Sequence, residues 1–458
     1  MMRSLYSGVA GLNTHQKKMD VIGNNIANVN TVGFKSSMVT FSDIMYQTSQ
    51  SASGANGLTG RGGINPKQTG LGVSTSAVKM SIEGSGAAQT TGYGLDIMLN
   101  DMNSTNFFIV NTGSENVFTR DGSFYIDGSG NLCMASTGYT VMGWQVDPQT
   151  GDIRKDNVSA LRVMQASNLT CDPESTTMAT CSGIVDKNST DVMSDSGQAM
   201  NLIVYDSLGY SYTCKFEIHS TAALAEEGTY VVSLTDVLDS TGKSIISDAN
   251  KQGVLNSLWG PGNANNFTLK FDPDNGHFEY IGAEGNNTQM LRLSELGGNF
   301  SNVEVDFSRA ITSDNGGTST IGMKRGSVAD GTTGAGKKLG VMNGLSIEGN
   351  GRIFGIYDNG NTILLGQIAV AQFPNASGLE ALGNNCFKTT LNSGDFDGIG
   401  TDVSSDGGSM TAGALEMSNV DLSTEFTQMI TTQRGFQANS RIITTSDTML
   451  EELLNLKR

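Results

Sequence analysis

At 458 residues, with 58 glycines against 6 prolines, the chain is long enough for several domains and turns on glycine rather than proline. A charged fraction of 16 % and a net charge of −17, with no Lys/Arg run anywhere, exclude nucleic acid as a partner, because phosphate binding needs clustered cations. The longest apolar runs, such as 107–110 and 363–365, are strand-sized, so no membrane-spanning segment is expected.

The first predicted element is a helix. Leu5, Leu12, Met19 and Ile26 recur every seven residues with Val9 between them, a narrow stripe that a helix buries against another helix. The same stretch lacks the apolar block and cleavage site of a secretory leader, so any export is expected to remove nothing. Gly23, Asn24, Asn25, Asn28, Asn30 and Gly33 then favour caps and turns and stop the helix, giving a helical segment over 1–30. Residues 31–77 are polar and poorly periodic, with glycine-rich pieces at 51–57 and 60–63, and are predicted as an extended connector without a core of its own.

A β-rich domain is predicted from 78–147 together with 338–399. Strand-like runs at 107–110, 117–119, 123–126 and 139–146 are punctuated by Asp121-Gly122, Asp127-Gly128 and Gly130-Asn131, as hairpins require. Strands return at 345–373 around Asp358-Asn359-Gly360. Between these pieces, 148–337 is expected to form an outer β-rich region of one or two subdomains. Its clearest hairpin spans 201–219, where Tyr210, Tyr212, Cys214, Phe216 and Ile218 alternate and put Cys214 on an apolar face. A second connector is predicted at 400–414, and a second helix at 415–458. There Leu422, Met429, Phe436, Ile443 and Leu450 again recur every seven residues, flanked by Phe426 and Leu454.

The fold class is therefore multi-domain and nested. Paired, coiled-coil-like terminal helices enclose a mainly β middle of sandwich or barrel type. Polar residues interrupt both stripes, at Gln16 and Gly23 and at Gln433, Ser440 and Asp447, which makes the pair weak for one molecule and suited to many. Leu5, Val9, Leu12, Met19, Ile26, Leu422, Phe426, Met429, Phe436, Ile443 and Leu450 are accordingly the predicted assembly interface.

Signs of catalysis are absent from the pattern, and no catalytic residue, cofactor or metal is assigned. His15, His219 and His277 are scattered without metal-ligand spacing. The run 331–338 approaches a phosphate-binding loop but has Lys338 where Ser or Thr should hold magnesium, and is read as an interdomain loop. Asp272-Pro273-Asp274-Asn275-Gly276 is read as a β-turn, since the glycine comes one position early for a calcium loop. Asp395, Asp397, Asp402 and Asp406 form a solvated acidic loop or, less simply, a cation site. Five cysteines make no disulfide framework, although Cys171 and Cys181 flank a polar loop and leave a pairing open in an oxidising setting.

Several stretches resemble the bacterial flagellar rod-and-hook family. They are 19–28 followed by Thr31, Val32, Gly33, Phe34 and Lys35; 413–422; 433–441; and 451–457. The carboxy-terminal pattern is close to that of the family's hook members, and 118–124, 143–144, 364–369 and Phe373 extend the match over 1–147 and 338–458. Residues 148–337 are similar only to the family's variable outer part. The resemblance implies a structural subunit, not an enzyme, that polymerises into a curved hook and transmits torque as a universal joint. It also implies partners: copies of itself, a rod protein, a hook cap protein, a hook–filament junction protein and a type III export apparatus. The location implied is the flagellum outside the cell. Two alternatives stand beside this: a distal rod protein of the same family, and a secreted β-rich adhesin or hydrolase with a pocket in 148–337.

Overall fold

The computed structural model describes residues 2–54, 60, 62–147, 149–220, 228–259 and 265–456. Two compact units divide the chain: Met1–Gln165 with Leu345–Gly355 and Ile363–Arg458 in the first, Ala166–Gly344 with Ile356–Thr362 in the second.

Both ends of the first unit are helical. Helix α1 spans Met2–Ala27. It closes on its own asparagines, with Asn28 Nδ2 donating to the Asn24 carbonyl at 2.9 Å. The expected connector at 31–77 is instead two antiparallel β-ladders in series: Ser37–Asp43 pairs with Val73–Met80, and Tyr46–Gln50 with Lys67–Gly70. Its strands hide from a periodicity search because nearly every position of Tyr46–Gln50 and Lys67–Gly70 is exposed. The ladder still packs on α1, through Gly72, whose φ of +138° brings the backbone so close that a Cβ there would lie 3.1 Å from the Ala10 methyl. Residues 55–57 of the glycine-rich piece 51–57, and Arg61 in 60–63, lie outside the described residues.

The β-body of this unit is antiparallel. Asn106–Asn111 sits between Asn116–Thr119 and Thr140–Gln145, and the latter pairs in turn with Thr362–Ile368. Phe107, Ile109, Phe118, Trp144, Ala369, Ala371 and Phe387 fill its core. Residues 149–165 belong here, not to the outer region, because Ser159–Ala160 pairs with the Thr140–Gln145 strand and Leu161 and Val163 are buried. The second expected connector, 400–414, is also ordered by pairing. Ser409–Ala412 adds to Ile97–Asn100 and Ala414–Glu416 to Ala88–Thr90, so the chain arrives at the last helix along two short ladders.

The second unit is a β-sandwich with one core. A five-stranded antiparallel sheet runs from Gln198–Tyr205 through Ser211–His219, Thr229–Leu238 and Asn266–Phe271 to Phe278–Ile281. A four-stranded sheet holds Thr288–Leu291, Val303–Thr312, Met178–Val185 and Gly322–Arg325, the middle two parallel. Cys214, Phe216, Val232, Val305 and Phe307 meet in the core, joined by Trp259 from the short helix α2, Lys251–Trp259. The run 331–338 is no interdomain loop: Gly334 and Gly336, at φ +69° and +67°, fold it onto Thr176, Thr177 and Met178 inside this unit. Asp272–Gly276 is a turn, closed by the Gly276 amide donating to the Asp272 carbonyl at 2.8 Å.

Candidate assembly interface

The last helix, α3, spans Leu422–Asn455. Asp421 caps it, accepting from the Ser423 amide at 2.9 Å and the Thr424 hydroxyl at 2.8 Å, which satisfies donors left free at a helix start. It lies antiparallel to α1. Asn25 Nδ2 donates to Glu425 Oε1 at 3.0 Å. Farther along, His15 faces Gly435, Gly11 faces Asn439, and Gly8 faces Ile443.

Small residues set the closeness of this contact. A Cβ on Gly435 would stand 2.7 Å from the His15 ring, and one on Gly11 2.6 Å from the Asn439 amide. The buried positions of α3 are Glu425, Thr432 and Ser446, seven or fourteen residues apart, and on α1 they include Gly8, Gly11, Thr14, Ile22 and Asn25. The seam thus keeps the predicted seven-residue period but is lined largely by small and polar groups. Burial, with Lys18 beside it, holds the His15 pKa below the usual histidine value, so the ring that packs between Gly435 and Phe41 is favoured neutral.

Apart from Ile443, which faces Gly8, the predicted interface residues fall around this seam rather than along it. Leu5, Leu12, Met19 and Ile26 on α1, and Met429, Ile443 and Leu450 on α3, are half-buried, all but Ile443 at its edges. Val9, Leu422, Phe426 and Phe436 are exposed. So are Tyr6, Ile430, Ile442, Met449, Leu453, Leu454 and Leu456, which the seven-residue search did not select, apart from Leu454 as a flanking position. Much of the apolar surface of the helix pair therefore stays open to solvent, a feature typical of surfaces made to be covered.

A buried ionic cluster fixes the base of the pair to the β-body. Lys35 Nζ lies 2.8 Å from Glu416 Oε1, Arg120 Nη2 2.8 Å from Glu416 Oε2, and Arg120 Nη1 2.7 Å from Asp101 Oδ2. Lys35 also donates to the Gly84 carbonyl at 2.7 Å, and the Gly86 amide to Glu416 Oε1 at 2.9 Å. Two cations and two carboxylates balance, as a buried cluster requires. Burial alone would raise Glu416, but Arg120 and Lys35 overcome it and hold its carboxyl below the usual glutamate range. Burial and the neighbouring Arg120 push Lys35 below the usual lysine range despite Glu416. Gly86 and Gly33 make room for the cluster: a Cβ on Gly86 would overlap the Met417 carbonyl, and Gly33, at φ +68°, lies against the Arg120 backbone.

Two family models match the two segments that build this interface: "Flagella basal body rod protein" over residues 5–35 and "Flagellar basal body rod FlgEFG protein C-terminal" over 411–456. Over the whole chain the relatives are hook proteins. The chain is 34 % identical to the flagellar hook protein of Treponema pallidum and 35 % identical to that of Borreliella burgdorferi, with 100 % of both chains covered in each comparison. The chain belongs to the flagellar hook protein family. A basal-body rod protein of Bacillus subtilis follows at 28 % identity, again over 100 % of both chains, which places rod and hook proteins in one wider group.

The structure gives the motif residues a physical reading that the sequence alone did not. Gly33 and Lys35 of the amino-terminal motif, Arg120 of 118–124 and Glu416 of 413–422 are the parts of one ionic cluster. Asn25 ties three elements, accepting from the Ser37 amide at 3.0 Å while donating to the Ser37 carbonyl and to Glu425. Asn419 joins Ser36 to Ser81 and Gly84.

The remaining sequence candidates serve structure. Asp402 accepts from Ser404, Lys155 and Gln367; these overcome its burial and hold it at about 2. Asp397 accepts from the Ile399 and Gly400 amides, and Asp406 from Gln372, Ser104 and the Gly408 amide. These carboxylates thus close the loop's own turns and tie it to Ser104, Lys155, Gln367 and Gln372. Cys171 and Cys181 are both free and buried, so the pairing left open by their spacing is not made. Cys181 sits in the core of the second unit, where burial pushes its thiol up to about 12.

Proposed function

We propose that this chain is the structural subunit that polymerises into the curved flagellar hook and carries torque from rod to filament as a universal joint. The observation that supports it most directly is the helix pair. Its two halves come from opposite ends of a hook-family chain, meet through small and polar residues, and leave exposed the apolar side chains that a neighbouring copy would cover. The weakly charged surface suits the rest of the task. A bending tube needs neighbouring subunits to slide, and few fixed ion pairs then have to break at each turn.

On this reading Leu5, Val9, Leu12, Met19, Ile26, Leu422, Phe426, Met429, Phe436, Ile443 and Leu450 lie in or beside contacts between copies. The partners are rod protein below, junction protein above, a cap protein at the growing end and the type III export apparatus, with the assembled subunit outside the cell. Electron microscopy of polymers grown from the purified chain tests the reading. Curved tubes are expected, and Phe436→Asp should abolish them while leaving the β-cores folded by circular dichroism. Straight shafts would favour the distal rod alternative. No polymer, with glycan binding by the second unit, would replace it with the adhesin alternative.

A further inference from the structure

Helix α3 carries two separate exposed apolar patches, and they differ in place and in charge. Phe426 and Ile430 form the first; Ile442, Met449 and Leu456, spaced by seven, form the second, with exposures running from 44 % at Ile442 to 80 % at Leu456. At 3.6 residues per turn, measured from the neighbouring seam residues, the first patch lies about 130° one way round from the seam with α1 and the second about 50° the other way, where a Cβ on Gly8 of α1 would stand 3.7 Å from Ile442 Cγ2. They are thus two faces, not one stripe. Arg434 stands one turn beyond Ile430, and Glu452 about one turn beyond Met449; both are exposed.

From this we infer that successive copies of the chain join by a heterologous contact, the Phe426/Ile430 face of one α3 against the Ile442/Met449/Leu456 face of the next, staggered along the helix axis. The inference rests on the polymer reading above and adds which surfaces meet. The charges choose the pairing. Like faces together would oppose Arg434 to Arg434 or Glu452 to Glu452, whereas unlike faces bring Arg434 of one copy toward Glu452 of the next. Such an exposed ion pair adds little affinity but sets register.

Aligning Ile430 with Met449 offsets the two helices by 19 positions, about 30 Å at 1.5 Å per residue. Arg434 then lies level with Leu453, beside Glu452. A heterologous contact leaves one face open at each end of every oligomer, so growth continues instead of closing at a dimer.

Complementation between two blocked copies tests this. Ile430→Asp spoils one face and Met449→Asp the other; both positions are exposed, and circular dichroism checks that each variant keeps its helices. Each alone should polymerise at least about ten-fold less than the unmodified chain, because burying an unpaired carboxylate costs more than the 1.4 kcal/mol that ten-fold represents. Mixed in equal amounts, they should form one-to-one dimers in sedimentation velocity, since each supplies the face the other lacks. A mixture that stays monomeric, either variant pairing with itself, or either polymerising normally would overturn the inference. In those cases a normal polymer from the unmodified chain leaves the hook reading standing. An unmodified chain that forms no polymer overturns both.

Discussion

Glu416 is the residue on which the base of the helix pair depends, and Glu416→Gln removes its charge at constant size. Both carboxylate oxygens are in use. Oε1 takes Lys35 and the Gly86 amide; Oε2 takes Arg120 through Nε and Nη2, all within 2.9 Å. A glutamine offers one oxygen, so either Lys35 or Arg120 meets an N–H where it had an acceptor. Their side chains are 1 % and 0 % exposed, so water cannot substitute. Breaking a buried pair in this way costs about 3–5 kcal/mol, or roughly two to three and a half orders of magnitude in local opening.

Native-state hydrogen exchange reads that opening directly. The Gly33 amide donates to the Glu416 carbonyl and the Met417 amide to the Ala87 carbonyl. Both should exchange faster in the variant by about the factor above, with amides in the 211–219 strand of the second unit as an unchanged control. Acid should act on the parent in the same direction. A carboxylate with a depressed folded pKa stabilises fully above its unfolded value of about 4.3, and that share is lost as the pH falls through the lower folded value. Lys35 has the opposite sign. Its depressed pKa is a cost wherever the ammonium is charged in both states, and the cost is relieved as the pH climbs toward the ordinary lysine value of about 10.4. The parent's protection should therefore fall off in acid below about pH 4.3, and the variant should lack that step. Exchange at Gly33 and Met417 within about three-fold of the parent would refute the cluster's structural weight.

Gly435→Leu should part the two helices. Its Cβ would stand 2.7 Å from a His15 ring already held edge-on to Phe41, and the overpacking cost of about 1–3 kcal/mol exceeds the roughly 0.7 kcal/mol gained by replacing a helical glycine with leucine. Limited proteolysis should then release α1 while Gly54→Ala, with nothing within 4 Å, leaves the pattern unchanged; an intact α1 in both would count against the seam. The thiols give an independent measure of the cores. Burial pushes Cys181 and Cys214 up to about 12, so iodoacetamide at pH 8 should leave both unlabelled until denaturant opens the second unit. Labelling of either in the folded subunit would contradict the packing.

The helices and the β-middle were legible because their signals are local: a seven-residue repeat at each end, and alternation around Cys214 and Phe216. The ladder within 31–77 was not, because strands exposed on both faces impose no alternation on their sequence. The seam was displaced for a related reason. An apolar search finds Met429, Phe436 and Ile443; Ile443 does meet α1 at Gly8, but the buried contact runs chiefly through Glu425, Thr432, Asn439 and Ser446, at the same period with polar and small side chains. The ionic cluster lay further out of reach, since Lys35, Asp101, Arg120 and Glu416 become neighbours only through the tertiary fold.

That distance along the chain has a consequence in time. Lys35 and its carboxylate partner are 381 positions apart, so in a chain emerging amino-end first the lysine waits for those 381 residues before its site can close. Until residue 416 arrives, Lys35 and Arg120 lack the carboxylate that both of them share, and burying them would leave uncompensated charge in the interior. The early segment is held hydrated by its own cations, and closing so long a loop adds an entropic delay that grows only slowly with length. A polymer-forming protein gains from such an order of events. Its joint can lock only after residue 416 has joined residue 35.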